Sequence, residues 1–204
     1  MEMEGEWMPF LHGRMKFEVA KEAQRCKYDN VALRLALEAQ DEFVSPDLLA
    51  FIGGELMKRG KAEESLTYWK RLEKSGLMLE DALRYESKAL ESLGRRKEAV
   101  AKEAERFRFW GYRFSDAELY RYCAMSLMTG DAKTAERISR TFRLRSSRGG
   151  GKNRWTPEWS NLRGGALLAL GRRNEAKPYF EDAIQRKPSL QSARRNLENL
   201  ENGF

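Results

Sequence analysis

The chain has 204 residues, of which 41% are apolar and 34% are charged, and its 38 basic and 31 acidic side chains give a formal net charge of +7. This composition favours helices, because Glu, Lys, Arg, Ala and Leu lose little conformational freedom there, and the alternating Val, Ile and Thr runs that would predict strands are missing. No stretch approaches the roughly 18 apolar residues of a membrane span, and the acidic start MEMEGEWMPF lacks the apolar core of a signal peptide, so we expect a soluble, cytoplasmic protein with a bias toward anionic partners.

A glycine-centred turn recurs along the chain at intervals close to the length of one helical hairpin. Its four best copies are centred on Gly60, Gly94, Gly130 and Gly171, which are 34, 36 and 41 residues apart. The second and fourth copies are nearly identical, LGRRKEAV and LGRRNEAK, and a weaker fifth copy places Lys27 in the glycine position. Glycine accepts the positive φ that ends many helices, so each copy predicts the junction between two helices.

These turns divide the chain into five predicted helical hairpins. In chain order, the segments are an N-terminal extension (1–12), five repeats (13–45, 46–78, 79–114, 115–156 and 157–188) and a C-terminal capping helix with a tail (189–204). Each hairpin carries apolar residues at helical spacing, as in Ala176, Phe180, Ala183 and Ile184 of the last repeat. One hairpin cannot bury such a stripe by itself, whereas stacked hairpins share a continuous core. We expect Ser189 to cap the final helix, whose outer side is polar.

The repeats resemble the tetratricopeptide repeat (TPR) family. The last repeat has the family's preferred residue types at Gly164, Gly171, Ala176, Phe180, Ala183 and Pro188. The second repeat matches at Leu49, Gly53, Leu56, Gly60 and Trp69. The resemblance covers residues 13–188 and implies an all-α fold, a right-handed α-solenoid of about five helix-turn-helix hairpins that presents a concave groove to a protein or peptide.

The resemblance also implies which side chains line that groove, because the family uses fixed positions in the first helix of each repeat. The candidate partner-binding residues are Arg14, Phe17, Lys21, Arg25, Lys58, Arg84, Lys88, Tyr120 and Asn161. The first half of this set is basic, and the second half is apolar and aromatic around Tyr120. A partner with an acidic segment and an apolar anchor would complement it, and we expect Asn161 to hydrogen-bond the backbone of that partner.

The last turn comes about seven residues late, and the excess lies in a segment rich in Gly, Ser and basic residues, 145–155. We expect this segment to be an exposed, flexible loop. Six basic residues and no acidic residue lie between positions 140 and 154, namely Arg140, Arg143, Arg145, Arg148, Lys152 and Arg154. They form either a solvated linker or an anion patch for acidic protein or phosphate groups. The GGGK sequence does not fit a phosphate-binding loop, because Asn153 follows the lysine and no strand precedes it.

A second irregular segment, FRFWGYRF at 107–114, alternates aromatic residues with arginine. One interpretation is that the junction between two repeats is packed by Phe107, Trp110, Tyr112 and Phe114 while the arginines extend to solvent. The other is that rings and arginines bind single-stranded nucleic acid. An RNA-binding or RNA-associated protein that uses 107–114 and 140–154 is therefore the alternative function.

Residues typical of catalytic and metal sites are scarce in this sequence. His12 is the only histidine, and Cys26 and Cys123 lack metal-ligand spacing, so we expect both thiols to be buried as small apolar groups. Acidic residues such as Glu103 and Glu105 lie among Lys and Arg at the spacing of helix-surface ion pairs. We expect a non-enzymatic scaffold or adaptor without cofactor or metal. Self-association through the ends of the array is a further alternative.

Overall fold

The chain folds into helices over the residues that the structure, a computed structural model, describes: 4–148 and 155–202. No strand occurs in those two ranges. The helices are α1 (Glu4–Arg25), α2 (Asp29–Ala39), α3 (Pro46–Lys58), α4 (Ala62–Ser75), α5 (Leu79–Ser92), α6 (Arg96–Trp110), α7 (Asp116–Met128), α8 (Ala132–Arg148), α9 (Pro157–Ala169), α10 (Arg173–Arg186) and α11 (Gln191–Glu201). Within the described ranges, none of them combines the length and the apolar character needed to span a membrane.

The helices divide into two compact units, unit 1 (Met1–Phe109) and unit 2 (Trp110–Phe204). In unit 1, α1 packs on α2, α3 on α4 and α4 on α5. In unit 2, α7 packs on α8, α8 on α9, α9 on α10 and α10 on α11. Each unit is thus a series of helices packed against their neighbours in the chain, and the prediction of an all-α helical repeat is confirmed.

The helix junctions lie where the recurrent turn predicts them. Gly60, Gly94, Gly130 and Gly171 all have positive φ, between 73° and 85°. The fifth copy has the same left-handed backbone, because Lys27 has a φ of 63°. A side chain with a Cβ is strained in this conformation, so Lys27 holds a shape that glycine would adopt more easily.

Small residues let the helices of unit 1 approach closely around large apolar side chains. Phe17 and Ala20 of α1 form one buried cluster with Ala36 of α2 and with Leu48 and Ile52 of α3. A second cluster joins Trp69 and Leu72 of α4 to Ala82 of α5. In unit 2, Leu167 of α9 packs with Ala176 and Phe180 of α10. The helical apolar stripes therefore face inward and fuse within each unit, as expected for stacked hairpins.

Unit 1 also buries charged side chains. The ammonium group of Lys102 lies 3.0 Å from a carboxylate oxygen of the fully buried Glu86 and 2.6 Å from one of Glu73. Burial, which disfavours the ionised carboxylate, raises the pKa of Glu86 to about 7, although Lys102 opposes that shift. The expectation that Glu103 lies on a helix surface is wrong, because Glu103 is buried and pairs with the equally buried Arg106 at 3.2 Å.

Three helix ends differ from the predicted segments. The predicted N-terminal extension is helical from Glu4, and Phe10 packs edge to face on Phe43 with the ring centroids 5.2 Å apart. Helix α8 continues to Arg148, so the first four residues of the predicted loop are helical. Ser189 does not cap α11, because the N–H of Leu190 bonds to the carbonyl of Lys187 in a turn and the helix begins only at Gln191.

Candidate binding surfaces

The first helices of the repeats in unit 1 are α1, α3 and α5, of which α1 contacts α3 directly, while α3 and α5 pack on one common cluster. The side-chain amide of Gln24 on α1 donates to the carboxylate of Glu55 on α3, and Phe17 meets Phe51 edge to face at 5.6 Å. Ala50 of α3 and Tyr85 of α5 both pack against the cluster around Trp69. These three helices form a common surface, which we call the first-helix face of unit 1.

Most basic residues predicted for this face are paired with acidic residues of their own helix. Lys21 lies 2.8 Å from Glu18, and Arg25 lies 2.5 Å from Glu22. The remaining pairs are Lys58 with Glu55 at 2.6 Å, and Arg84 with Glu80 at 3.3 Å and with Asp81 at 3.5 Å. The face is therefore less basic than its cations alone predict. The pairs of Lys21 and Arg25 are exposed on both sides and contribute little stability, so a ligand carboxylate can replace Glu18 or Glu22 there.

Two of the remaining predicted residues of α1 and α5 are exposed, and one is buried. Lys88 stands over the ring of Tyr85, 4.8 Å from its centroid. Arg14 is exposed on α1 beside Met15. The assignment of Phe17 to the partner-binding surface is wrong, because its side chain is only 4% exposed and packs in the core, where a large apolar ring gains most from burial.

Glu55, which was not among the predicted residues, holds several polar side chains of this face together. This buried carboxylate accepts hydrogen bonds from Lys58 at 2.6 Å, from Arg59 at 2.7 Å and from Gln24. Burial opposes its ionisation, but these donors outweigh burial and hold the pKa of Glu55 below its ordinary value. The spacing of Glu55 from Lys58 and Arg59, three and four residues, was a signal in the sequence for this arrangement.

The first helices of unit 2 form a second surface, the first-helix face of unit 2, from α7 and α9. Tyr120 of α7 meets Trp159 of α9 edge to face at 5.3 Å. Gly165 of α9 has no side chain, and a Cβ there would lie 3.1 Å from a methyl group of Leu127. The glycine thus leaves room for the Leu127 side chain against α9.

This second face is apolar. Met128 is 62% exposed and Tyr120 is 36% exposed. Ala124, Leu127 and Leu168 are partly exposed around them. Burial raises the pKa of the Tyr120 hydroxyl, with a further contribution from the nearby carboxylate of Glu158, so the phenol stays neutral.

The predicted role of Asn161 does not agree with its contacts. Its amide nitrogen donates to the hydroxyl of Ser192 at 3.2 Å, and its carbonyl oxygen accepts from the amide of Asn196 at 3.0 Å. Both partners lie on α11. Asn161 therefore attaches the last helix to α9, and its polar atoms are already used where the sequence predicted a contact to the backbone of a partner.

The segment after α8 holds an aromatic stack. Phe142 and Trp159 stack with the ring centroids 4.1 Å apart, and Trp155 stacks on both at 6.0 and 6.1 Å. The indole N–H of Trp155 donates to the hydroxyl of Ser160 at 2.7 Å. The expectation that 145–155 is an exposed loop is therefore wrong for Trp155, since stacking and the hydrogen bond fix its ring.

Arg143, a member of the predicted anion patch, lines a pocket of about 430 Å³ in unit 2. The pocket is lined by Arg143, Trp155, Pro178, Tyr179, Asp182 and Arg186. The guanidinium of Arg143 stands over the rings of Trp155 and Tyr179 and donates to the Tyr179 hydroxyl. Arg186 donates to the carbonyl of Trp155 at 2.6 Å and lies 3.4 Å from Asp182. The pocket members from α10 were not predicted from the sequence, because only the folded chain brings them close to α8.

The other members of the patch are not assembled in the described part of the structure. Arg140 is exposed on α8. The side chains of Arg145 and Arg148, and the residues Lys152 and Arg154, lie outside the described residues. Of the two predicted basic residues whose side chains the structure describes, Arg143 lines the pocket and Arg140 does not.

The aromatic segment 107–114 is only partly packed. Phe114 is buried, as expected for a residue at a junction. Phe109 is exposed with the guanidinium of Arg108 5.5 Å from its ring centroid, and Tyr112 is 76% exposed. The interpretation that Tyr112 packs with its neighbours is therefore wrong, whereas Phe109 was not among the rings expected to pack.

Three residues are of types that often serve in catalysis, namely His12, Cys26 and Cys123. His12 is exposed and lies 3.2 Å from Glu42. The Cys123 thiol is buried and close to the carbonyl oxygen of Ala135, and burial raises its pKa to about 12, which removes the reactive thiolate. Cys26 is exposed, contrary to expectation. The described residues include no cluster of three His, Cys, Asp or Glu side chains that could hold a metal ion.

Comparison with known proteins identifies the fold. No protein-family model and no curated protein matches the sequence. A tetratricopeptide repeat protein from Parabacteroides merdae has a TM-score of 0.68 at 12% identity, over 93% of this chain and 72% of its own. YrrB, described as a TPR protein with an unusual peptide-binding site, has a TM-score of 0.71 at 12% identity, over 88% of this chain and 89% of its own. MamA has a TM-score of 0.64 at 14% identity, over 87% of this chain and 92% of its own.

These solved structures share their fold with this chain over most of its length. At such low identity, the likeness concerns the fold and leaves the specific member open. The chain therefore has the fold of the tetratricopeptide repeat proteins.

Proposed function

We propose that this chain is a non-enzymatic scaffold that binds a protein or peptide segment on its first-helix faces. The observation that carries the proposal is the apolar first-helix face of unit 2, where Tyr120 and Met128 stand exposed. Exposed apolar side chains that form one patch often mark an interaction site, whereas single exposed apolar residues are common on any protein surface. Among the solved structures of similar fold, YrrB is described as having a peptide-binding site.

Tyr120 is suited to anchor such a segment. Its ring is held edge to face by Trp159, so its position is fixed before a partner arrives. The phenol offers a large apolar surface and one polar atom, the combination that interface hot spots favour. Because helix packing preforms the face, the scaffold loses little conformational entropy on binding, and most of the ordering cost falls on the peptide.

The first-helix face of unit 1 is proposed to bind acidic residues of a partner. Lys88 is exposed there, and Arg84 is held by Glu80 and Asp81 on the same helix. A carboxylate of the partner would replace one of these intrahelical partners of Arg84. Such exchange adds specificity more than affinity, since the guanidinium is paired in both states. Arg143 in its aromatic pocket is proposed as a second contact for an acidic side chain.

Selection from a phage-displayed library of random peptides, followed by fluorescence anisotropy with the enriched peptides, tests the proposal. We expect enriched peptides to carry an apolar anchor, and Met128→Glu to weaken their binding by about tenfold or more. The matched control is Leu77→Glu, which places the same charge on an equally exposed apolar site in the turn before α5. Equal affinity of both variants for every enriched peptide would contradict the assignment of the face.

One observation favours the alternative function of RNA binding. Phe109 and Tyr112 are exposed in a segment that interleaves aromatic residues with arginine. Bases stack on such rings, and the basic residues would neutralise phosphates. If the chain binds RNA, oligouridine should bind, and its affinity should fall steeply as the salt concentration rises. Tyr112→Ala should remove most of this binding. Absence of oligouridine binding at low salt would exclude it.

A further inference from the structure

Helix α1 carries an apolar strip on the side that faces away from the core of unit 1. Leu11, Met15 and Val19 are 49%, 66% and 55% exposed and lie four residues apart, so they form one line along the helix. They line a shallow depression of about 400 Å³ together with Arg14 and Glu18. The opposite side of α1 is already buried against α2 and α3. The helix is therefore apolar on two sides, and only one side is covered within unit 1.

The charges beside the strip make it complementary to itself. Arg14 and Glu18 lie one helical turn apart along the same edge of the strip. When two α1 helices lie antiparallel across a two-fold axis near Met15, Leu11 meets Val19 of the second copy and Met15 meets Met15. The same arrangement places Arg14 of each copy near Glu18 of the other. A surface that satisfies its own apolar and charged groups in this way fits a two-fold symmetric contact.

The present contacts of these residues allow that arrangement. Glu18 lies 2.8 Å from Lys21, and both side chains are exposed. An exposed pair of this kind is weak, and a carboxylate has room for two cations, so Glu18 can accept Arg14 of a second copy without losing Lys21. The strip belongs to α1 of unit 1 and shares no residue with the first-helix face of unit 2, so the two proposals can be tested separately.

We propose that two copies of this chain associate through antiparallel α1 helices, with Leu11, Met15 and Val19 in the contact and Arg14 paired with Glu18 across it. One helix face from each copy is smaller than the roughly 800 Å² per partner of a standard stable interface. The dimer is therefore weak and depends on concentration. Burial of Met15 against its symmetry mate supplies the centre of the contact, and the two charge pairs fix the antiparallel orientation.

Sedimentation velocity of the full chain over about 5 to 500 µM tests the proposal, since a small interface implies affinities in that range. We expect the wild type to shift from monomer to dimer and Met15→Glu to remain monomeric. Leu77→Glu, which adds the same charge at an exposed apolar residue of unit 1 outside α1, is the control and should dimerise like the wild type. Circular dichroism checks folding, and Val19→Glu replaces Met15→Glu if the latter does not fold.

A charge exchange tests the orientation. Arg14→Glu and Glu18→Arg should each weaken the dimer roughly tenfold, because each places like charges opposite one another twice, and the double variant should restore the wild-type affinity. A wild type that stays monomeric over the whole range, a dimer that Met15→Glu leaves intact, or a double variant no better than the single variants would overturn the proposal.

Discussion

Gly53 of α3 lies directly against the indole of Trp69 on α4. A Cβ at position 53 would stand 2.7 Å from a ring carbon of Trp69, closer than side chains pack. The indole cannot move away freely, because its N–H donates to the Ser65 hydroxyl at 2.9 Å, and that hydroxyl donates to the carbonyl of Gly53 at 2.7 Å. The same relationship recurs in unit 2, where a Cβ at Gly164 would stand 2.6 Å from the ring of Phe180.

The packing of Gly53 predicts opposite effects for two neighbouring glycines. Gly53→Ala should lower the free energy of unfolding by about 1–3 kcal/mol, because the methyl group overpacks the helix contact. Gly54→Ala, the matched control, should raise it by about 0.5–1 kcal/mol, since nothing lies within 4 Å of a Cβ there and alanine favours a helix. Urea unfolding followed by circular dichroism measures both. Equal changes in the two variants would contradict the packing.

Lys27 occupies the left-handed turn where the other repeats have glycine, with a φ of 63°. Lys27→Gly should therefore stabilise unit 1 by about 1 kcal/mol, through relief of Cβ strain. Lys27→Ala keeps the Cβ and should give no such gain, which separates backbone strain from loss of the lysine charge. The same urea measurement applies, and a gain from alanine equal to that from glycine would refute the explanation.

The buried Glu86 predicts a specific pH dependence of stability. Its folded pKa of about 7 lies above the ordinary 4.5, so the folded state holds a proton that the unfolded state releases between pH 4.5 and 7. The contribution of Glu86 to the free energy of unfolding is therefore fully present below pH 4.5 and is lost as the pH rises to 7. Glu73 has a lowered pKa, so its contribution to the free energy of unfolding changes below pH 4.5, outside the range in which Glu86 acts.

Glu86→Gln should remove that fall, because the amide carries no titrating proton. We expect the wild type to lose more stability than the variant between pH 4.5 and pH 7, as measured by chemical unfolding at a series of pH values. Glu98→Gln, on the exposed surface of α6, is the control and should keep the wild-type slope in this window. A wild-type slope in Glu86→Gln would show that other groups cause the dependence.

The two cysteines should differ in reactivity. The Cys26 thiol is exposed, whereas the Cys123 thiol is buried with its pKa raised to about 12. Ellman's reagent should therefore label one thiol in the native chain and two after denaturation, and Cys26→Ser should abolish native labelling. Rapid native labelling that persists in Cys26→Ser would mean that the core around Cys123 opens.

The repeat architecture was predictable because it depends on local signals. Gly60 and Gly171 mark helix junctions because only glycine adopts a positive φ without strain. The spacing of the turns then predicted a further junction at Lys27. The pairing of Lys21 with Glu18 and of Lys58 with Glu55 was also readable, since these residues stand three apart on a helix. The first-helix face of unit 1 is less basic than predicted, because the prediction considered its lysines and arginines without their acidic neighbours.

The remaining features depend on contacts that sequence spacing does not reveal. Asn161 meets Asn196 because α11 packs on α9, and no local pattern indicates that the amide is used there. The burial of Phe17 and the stacking of Trp155 likewise follow from tertiary packing. The proposed α1 contact has the same character, since only the fold shows which side of α1 remains uncovered.

The most direct test of the proposed scaffold function is an amide NMR titration of the chain with an enriched peptide. We expect the largest chemical-shift changes on α7 and α9 around Tyr120 and Met128, and we expect Met128→Glu to abolish them. Changes confined to α8 and α10, or spread evenly over both units, would contradict the claim that the first-helix face of unit 2 is the binding surface.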